Sequence, residues 1–198
     1  MPISQINTNS IANEAVVTAD IANGAVTSAK MASGAARANF GAGAVLQVVS
    51  TIKTDTASTT SASWSDISGL SVSITPTSST SRILVLLNVT GGNNNGGAAV
   101  KLLRDSTDIA ISTTATGSQT NASFGNYFDN GDANSMRGHG LTFLDSPSTT
   151  SSITYKAQFR MGTTSGGWIF YVNRAVGNDN AGYSIKTVST ITVMEIAG

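Results

Sequence analysis

Cysteine is absent from the 198 residues, so neither disulfides nor thiolate metal sites can hold the fold. Charge is scarce as well. Only 11% of residues are Asp, Glu, Lys or Arg, against roughly a quarter in ordinary domains. Acids and bases cancel to a net charge of zero, and with no basic run a nucleic-acid partner is not expected. Histidine occurs once, at His139, and the glutamates are Glu14 and Glu195 alone. The carboxylate pair that usually flanks a glycosidic bond during cleavage has few places to come from. The longest strongly apolar run is Ile83 to Leu87, far too short to span a bilayer. The first residues, Met-Pro-Ile-Ser-Gln, carry neither a cationic nor an apolar targeting segment, so no signal peptide and no membrane insertion are expected.

What the chain does have is a repeat. From Thr8 to Phe40 it is written almost wholly in small residues, with a larger apolar one at every fifth position: Ile11, Val16, Ile21, Val26, Met31. A period of five fits neither regular element. On a helix those side chains would wander around the axis, and on a strand they would alternate faces. The conformation is therefore expected to change within each ten residues. Thr18 and Ser28 are suited to cap a single turn, and Gly24 and Gly34 to end one. Burying these side chains is worth roughly 1.5–3 kcal/mol each, whereas ordering each residue costs about 1–2 kcal/mol of backbone entropy. The segment therefore stays disordered or winds with copies of itself, and the regular spacing favours a wound shaft.

The sequence changes character at Gly41-Ala-Gly43, so two parts are predicted: a repeat shaft over 1–43 and a head over 44–198. Strands are predicted at 44–52, 70–74, 82–90, 98–104, 107–113, 138–144, 153–159, 167–172 and 183–195. Gly91 to Gly97 reads as a loop. Many short strands between polar turns give an all-β head, an antiparallel β-sandwich or jelly roll. Ile83, Val85 and Leu87 are expected to be buried on one face of their strand, and Leu84 and Leu86 on the other.

The ladder Ile21-Ala-Asn-Gly-Ala-Val-Thr-Ser-Ala-Lys30 resembles repeats in tail-fibre and related appendage proteins of tailed bacteriophages, especially those of marine and cyanobacterial hosts. Ser63 to Pro76, Ser81 to Val85 and Ser189 to Ile196 resemble the β-rich head of such proteins. The resemblance implies a homotrimer in the virion, a tail, neck or capsid appendage with its N-terminal part near the particle. Ile11, Val16, Ile21, Val26 and Met31 would then face the trimer axis. Glu14 and the shortness of the shaft depart from the family pattern and point to a short fibre. The expected function is a short trimeric tail or neck fibre whose head contacts the host surface. The alternative is a purely structural collar or head decoration.

Candidate chemistry is sparse. Ser135, His139 and Asp145 supply the residue types of a triad, but no nucleophile elbow surrounds any serine, and no enzyme is expected. The acidic and amide groups of residues 126–134 do not match a calcium loop, and neither metal nor cofactor is expected. Sugar binding takes an aromatic plate and placed polar groups. Tyr127 with Asp129, Asp132 and Asn134 forms one such set, and Asn178, Asp179, Asn180 and Tyr183 a second; plain solvated turns remain open at both. Trp64 and Trp168 sit in strand-like contexts suited to core or subunit packing. Expected partners are further copies of the chain, other virion proteins through the N-terminal part, and a host surface glycan.

Overall fold

The computed structural model describes Val17, Ile21, residues 41–128 and residues 133–198. The chain divides into two compact units, Met1–Gly41 and Ala42–Gly198. Of the repeat positions expected at a trimer axis, Ile11, Val16, Val26 and Met31 lie outside the described residues. Ile21 leaves 46% of its surface exposed in the single chain.

The second unit is all-β, and no α-helix occurs among its described residues. Its strands are β1 (Val45–Lys53), β2 (Ala57–Thr59), β3 (Ser65–Ile74), β4 (Arg82–Asn93), β5 (Gly96–Arg104), β6 (Thr107–Ile109), β7 (Phe124–Phe128), β8 (Arg137–Asp145), β9 (Ile153–Met161), β10 (Phe170–Val172) and β11 (Ser189–Ile196). Every described pairing between them is antiparallel.

One sheet runs β1-β11-β4-β8, with β10 and β2 continuing beside the last residues of β4. The other runs β3-β9-β5, and β6 and β7 share the free side of β5. The long strands alternate between sheets along the chain in the order a jelly roll lays them.

Period-two patterning makes the core. In β9, Ile153, Tyr155, Ala157, Phe159 and Met161 are buried, while the residues between them face outward. Strand β3 keeps its pattern across a bulge between Asp66 and Ser71, so Ile67 and Leu70 both point inward before Val72 and Ile74. Ile83, Val85 and Leu87 of β4 meet these from the opposite sheet. Leu84 and Leu86 turn to the outer face, where they are half-buried rather than covered.

Gly91 to Gly97 is not a loop. Strand β4 runs to Asn93 and β5 begins at Gly96, so only Asn94 and Asn95 carry the chain between sheets. The glycines are there for close approach. A Cβ on Gly91 would sit 2.1 Å from the Tyr171 carbonyl oxygen, and one on Gly96 would sit 2.3 Å from the Trp168 ring. Gly96 also takes φ +67°, a conformation that favours glycine. The asparagines pin the crossing. Asn93 Nδ2 donates to the Asn95 and Gly96 carbonyls, and Asn94 Oδ1 accepts from the Ile169 amide at 2.8 Å.

Three further expectations need correction. Residues 124–128 form β7, because their amides and carbonyls pair with β5. Strand β11 begins at Ser189, not Tyr183, since turns and one isolated bridge occupy the stretch before it. Of the core and subunit-packing alternatives for Trp64 only the core falls, since Trp64 lies outside it, beneath two cations. Lys101 Nζ lies 4.9 Å and the Arg160 guanidinium carbon 5.7 Å from its ring centre.

Candidate functional site

Register gives the sandwich two distinct ends. At the near end the chain enters β1, and the Gly43 amide donates to the Ala197 carbonyl at 2.8 Å. Val45 there lies opposite Ile196, and Ile196 opposite Arg82. Eight steps along β1, Lys53 lies opposite Ser189, about 27 Å away at about 3.4 Å per residue. The far end gathers the last residues of β4, the start of β8, strands β2 and β10, and the 173–188 segment.

Of the two sets of residues suited to sugar binding, Asn134 of the first comes beside the turn that carries the second at this far end. The Gly177 amide donates to the Ala133 carbonyl at 2.6 Å, tying the 133–134 turn to the 177–183 turn. Tyr127, paired with Gly97, leaves 61% of its surface exposed, and Tyr183 leaves 59%. Asn178, Asp179 and Asn180 are exposed and Asn134 is half-buried. Asp129 and Asp132 lie outside the described residues.

Beside these turns lies an open hollow of about 630 Å³ between the β2 edge and the 174–186 segment. Tyr171 forms part of its wall, flanked by Ser58, its cross-strand neighbour. The Arg174 guanidinium carbon is 3.7 Å from the centre of the Tyr171 ring, a stacked arrangement that leaves the guanidinium edge free to donate. Arg174 pairs through its backbone with Lys186, and the Lys186 amine contacts Asn178 Oδ1. The lining contains these two cations and no carboxylate. Nearby Asp55 bonds Lys53 at 2.8 Å, and that bond holds its carboxyl below the ordinary range.

The residue that aims this site was missed in the sequence. Asn173 is fully buried at φ +65°, a left-handed conformation in which asparagine is enriched. Its Nδ2 donates to the Lys53 and Asp55 carbonyls, both at 2.8 Å, and its Oδ1 accepts from Ser189 Oγ at 2.6 Å. The segment bearing Arg174 is thereby locked to the end of β1. Asn173 looked like any loop asparagine, because its partners lie 16 to 120 residues away.

A further hollow of about 380 Å³ in the 112–121 loop is lined by uncharged residues. Another, of about 320 Å³, contains Asp66 and Lys156, which neutralise each other at 2.9 Å.

The triad residues do not converge. His139 and Asp145 lie six residues apart on β8, about 20 Å at strand spacing. His139 stacks on Phe124 with ring centres 5.1 Å apart; burial first, and the Arg137 charge second, push its pKa below the ordinary 6.5. Asp145 accepts from Arg104 at 2.8 and 2.9 Å and from the Tyr155 hydroxyl at 2.7 Å, a network joining the two sheets. Burial and that bond to Asp145 push the Tyr155 hydroxyl up. Glu195 is fully buried at the near end, where it accepts from Gln47 Nε2 at 2.6 Å and from the Thr77 amide and hydroxyl at 2.6 and 2.7 Å. Burial raises its pKa but the hydrogen bonds outweigh it, so the net direction is down. No cluster of metal-ligating side chains occurs among the described residues. Compared with known protein families and with curated proteins, the chain matches none.

Proposed function

We propose that this chain is a virion structural protein, a short trimeric tail or neck fibre attached through residues 1–43, whose head contacts the host surface. The observation that carries the reading is the polarity of the head. The chain enters at the near end beside Ala197, while the exposed tyrosines, the Asn- and Asp-rich turns and the hollow gather at the far end. An appendage needs that separation, because one end docks on the particle while the other stays free.

Assembly with further copies is supported by the outer face of the β1-β11-β4-β8 sheet. Val48, Met194, Leu84 and Leu144 line up in register across all four strands, with Ile52 and Leu86 beside them. Val48 and Ile52 leave 55% and 58% of their surface exposed. The other positions in the central rows are Ser50, Thr190, Thr192, Asn88, Thr142 and Gly140, so these rows carry no charge, and Arg82, opposite Ile196, lies on the same face beyond them. Winding with copies of itself is also the alternative to disorder for the repeat, and its regular spacing supports the wound shaft.

A truncation pair tests the proposal. Deleting residues 1–40 is expected to abolish incorporation into particles while leaving soluble heads that bind host cells or block adsorption. If those heads do neither while particles need the protein for assembly, the collar or decoration reading replaces it.

A further inference from the structure

The hollow at the far end holds an unbalanced pair of cations. Arg174 and Lys186 face each other across a two-residue antiparallel bridge, a placement in which like charges repel and cost stability. Nothing in the lining offsets them. The chain as a whole has a net charge of zero and few charged residues, which makes a lining with two cations and no carboxylate a specific feature. Asp55 beside it is already paired to Lys53, and Asp179 is outside the lining. The guanidinium lies over the Tyr171 ring and its backbone is fixed through Asn173. It is therefore pre-organised to offer two parallel N–H donors to a planar or tetrahedral oxyanion. Lys186 supplies a second positive charge within the same hollow. Thr56 and Ser58 add hydroxyls, and Asn178 adds an amide. That set matches the hydroxyls of a sugar ring carrying the anion.

From this geometry we propose that the hollow is a binding site for an anionic saccharide, its carboxylate, sulfate or phosphate group held between Arg174 and Lys186. The inference rests on the reading that the far end faces the host, and it names the chemistry of the ligand there. A single shallow site of this kind binds weakly, and several copies on one fibre would raise the overall affinity by avidity.

The test uses the intact protein and defined oligosaccharides immobilised on a surface: oligouronides, sulfated oligosaccharides, phosphorylated oligosaccharides, and neutral glucans of equal length. Binding is expected to at least one anionic series and not to the neutral glucans, and to weaken as salt is raised. The anionic series that binds identifies the source of the charge. Arg174→Gln and Lys186→Gln are each expected to weaken binding tenfold or more, with unchanged melting temperature showing an intact fold. Lys156→Gln, at the neutralised pair on the other sheet, is expected to leave binding unchanged. Equal binding to neutral glucans, no binding to any series, or undiminished binding by the double variant would overturn the proposal. If no anionic series binds and soluble heads still block adsorption, the host-contact reading stands and this site falls. If the hollow binds anions and heads neither attach nor block, the site stands and the host-contact reading falls.

Discussion

Single residues at both ends of the head carry more than their types suggest. Asn173 makes three side-chain hydrogen bonds from a left-handed backbone position. Asn173→Ala would strand one buried and one part-buried carbonyl and strain the backbone, so a loss of about 2–4 kcal/mol in urea unfolding is expected. Asn173→Gly relieves the strain but not the lost bonds and should fall between. A loss under about 0.5 kcal/mol for the alanine variant, within the range of an ordinary surface change, would show that Asn173 does not fix the segment. Glu195 contributes to the loss of stability in acid. Its folded pKa lies below the ordinary 4.5, so the unfolded chain takes up the proton first as pH falls. Its stabilisation is complete above about pH 5 and drains away below the ordinary pKa. Glu195→Gln should flatten the fall in melting temperature below that point. His139 acts earlier, because its pKa is also lowered; stability is lost as pH falls through its ordinary value of about 6.5.

At the scale of elements, the crossing from β4 to β5 has no room for a side chain at either Gly91 or Gly96. Gly96 must accept the Trp168 ring against its backbone at positive φ. Gly96→Ala is expected to cost about 1–3 kcal/mol and to displace the indole. A shift in tryptophan fluorescence together with a lower unfolding midpoint would check this, and unchanged spectra would count against it. The strands themselves were legible where alternation was clean. Strand β9 and the apolar run of β4 stand where sequence placed them, because period-two burial needs only local information. The 91–97 run was misread because glycine and asparagine usually mark turns. Here they serve close packing between strands, which depends on Tyr171 and Trp168 far along the chain. Strands β2 and β7 were missed for a related reason. Ala57–Thr59 and Phe124–Phe128 carry weak patterns and become strands through pairing with β10 and β5.

For the whole molecule, the uncharged central rows on the outer face of the β1-β11-β4-β8 sheet make a direct prediction. Val48→Asp with Ile52→Asp changes two side chains more than half exposed in the single chain. The isolated head should keep its melting temperature within a few degrees. Sedimentation of the full chain should shift towards monomer, because a buried unpaired carboxylate is costly at an interface. An unchanged oligomer would exclude this face. Ile21→Asp makes the same demand of the repeat, and a chain that sediments as a monomer even without substitution would remove the assembly argument entirely.

The sequence alone determined the all-β class of the head and the buried face of β4. Each follows from local composition or from a short period. Only the tertiary structure decided that residues near 134 and 177 share one end, that this end lies opposite the point where the chain enters, and that Arg174 meets Lys186 in an open hollow. Those relations depend on strand register and on asparagine bonds spanning up to 120 residues. No short-range pattern encodes them.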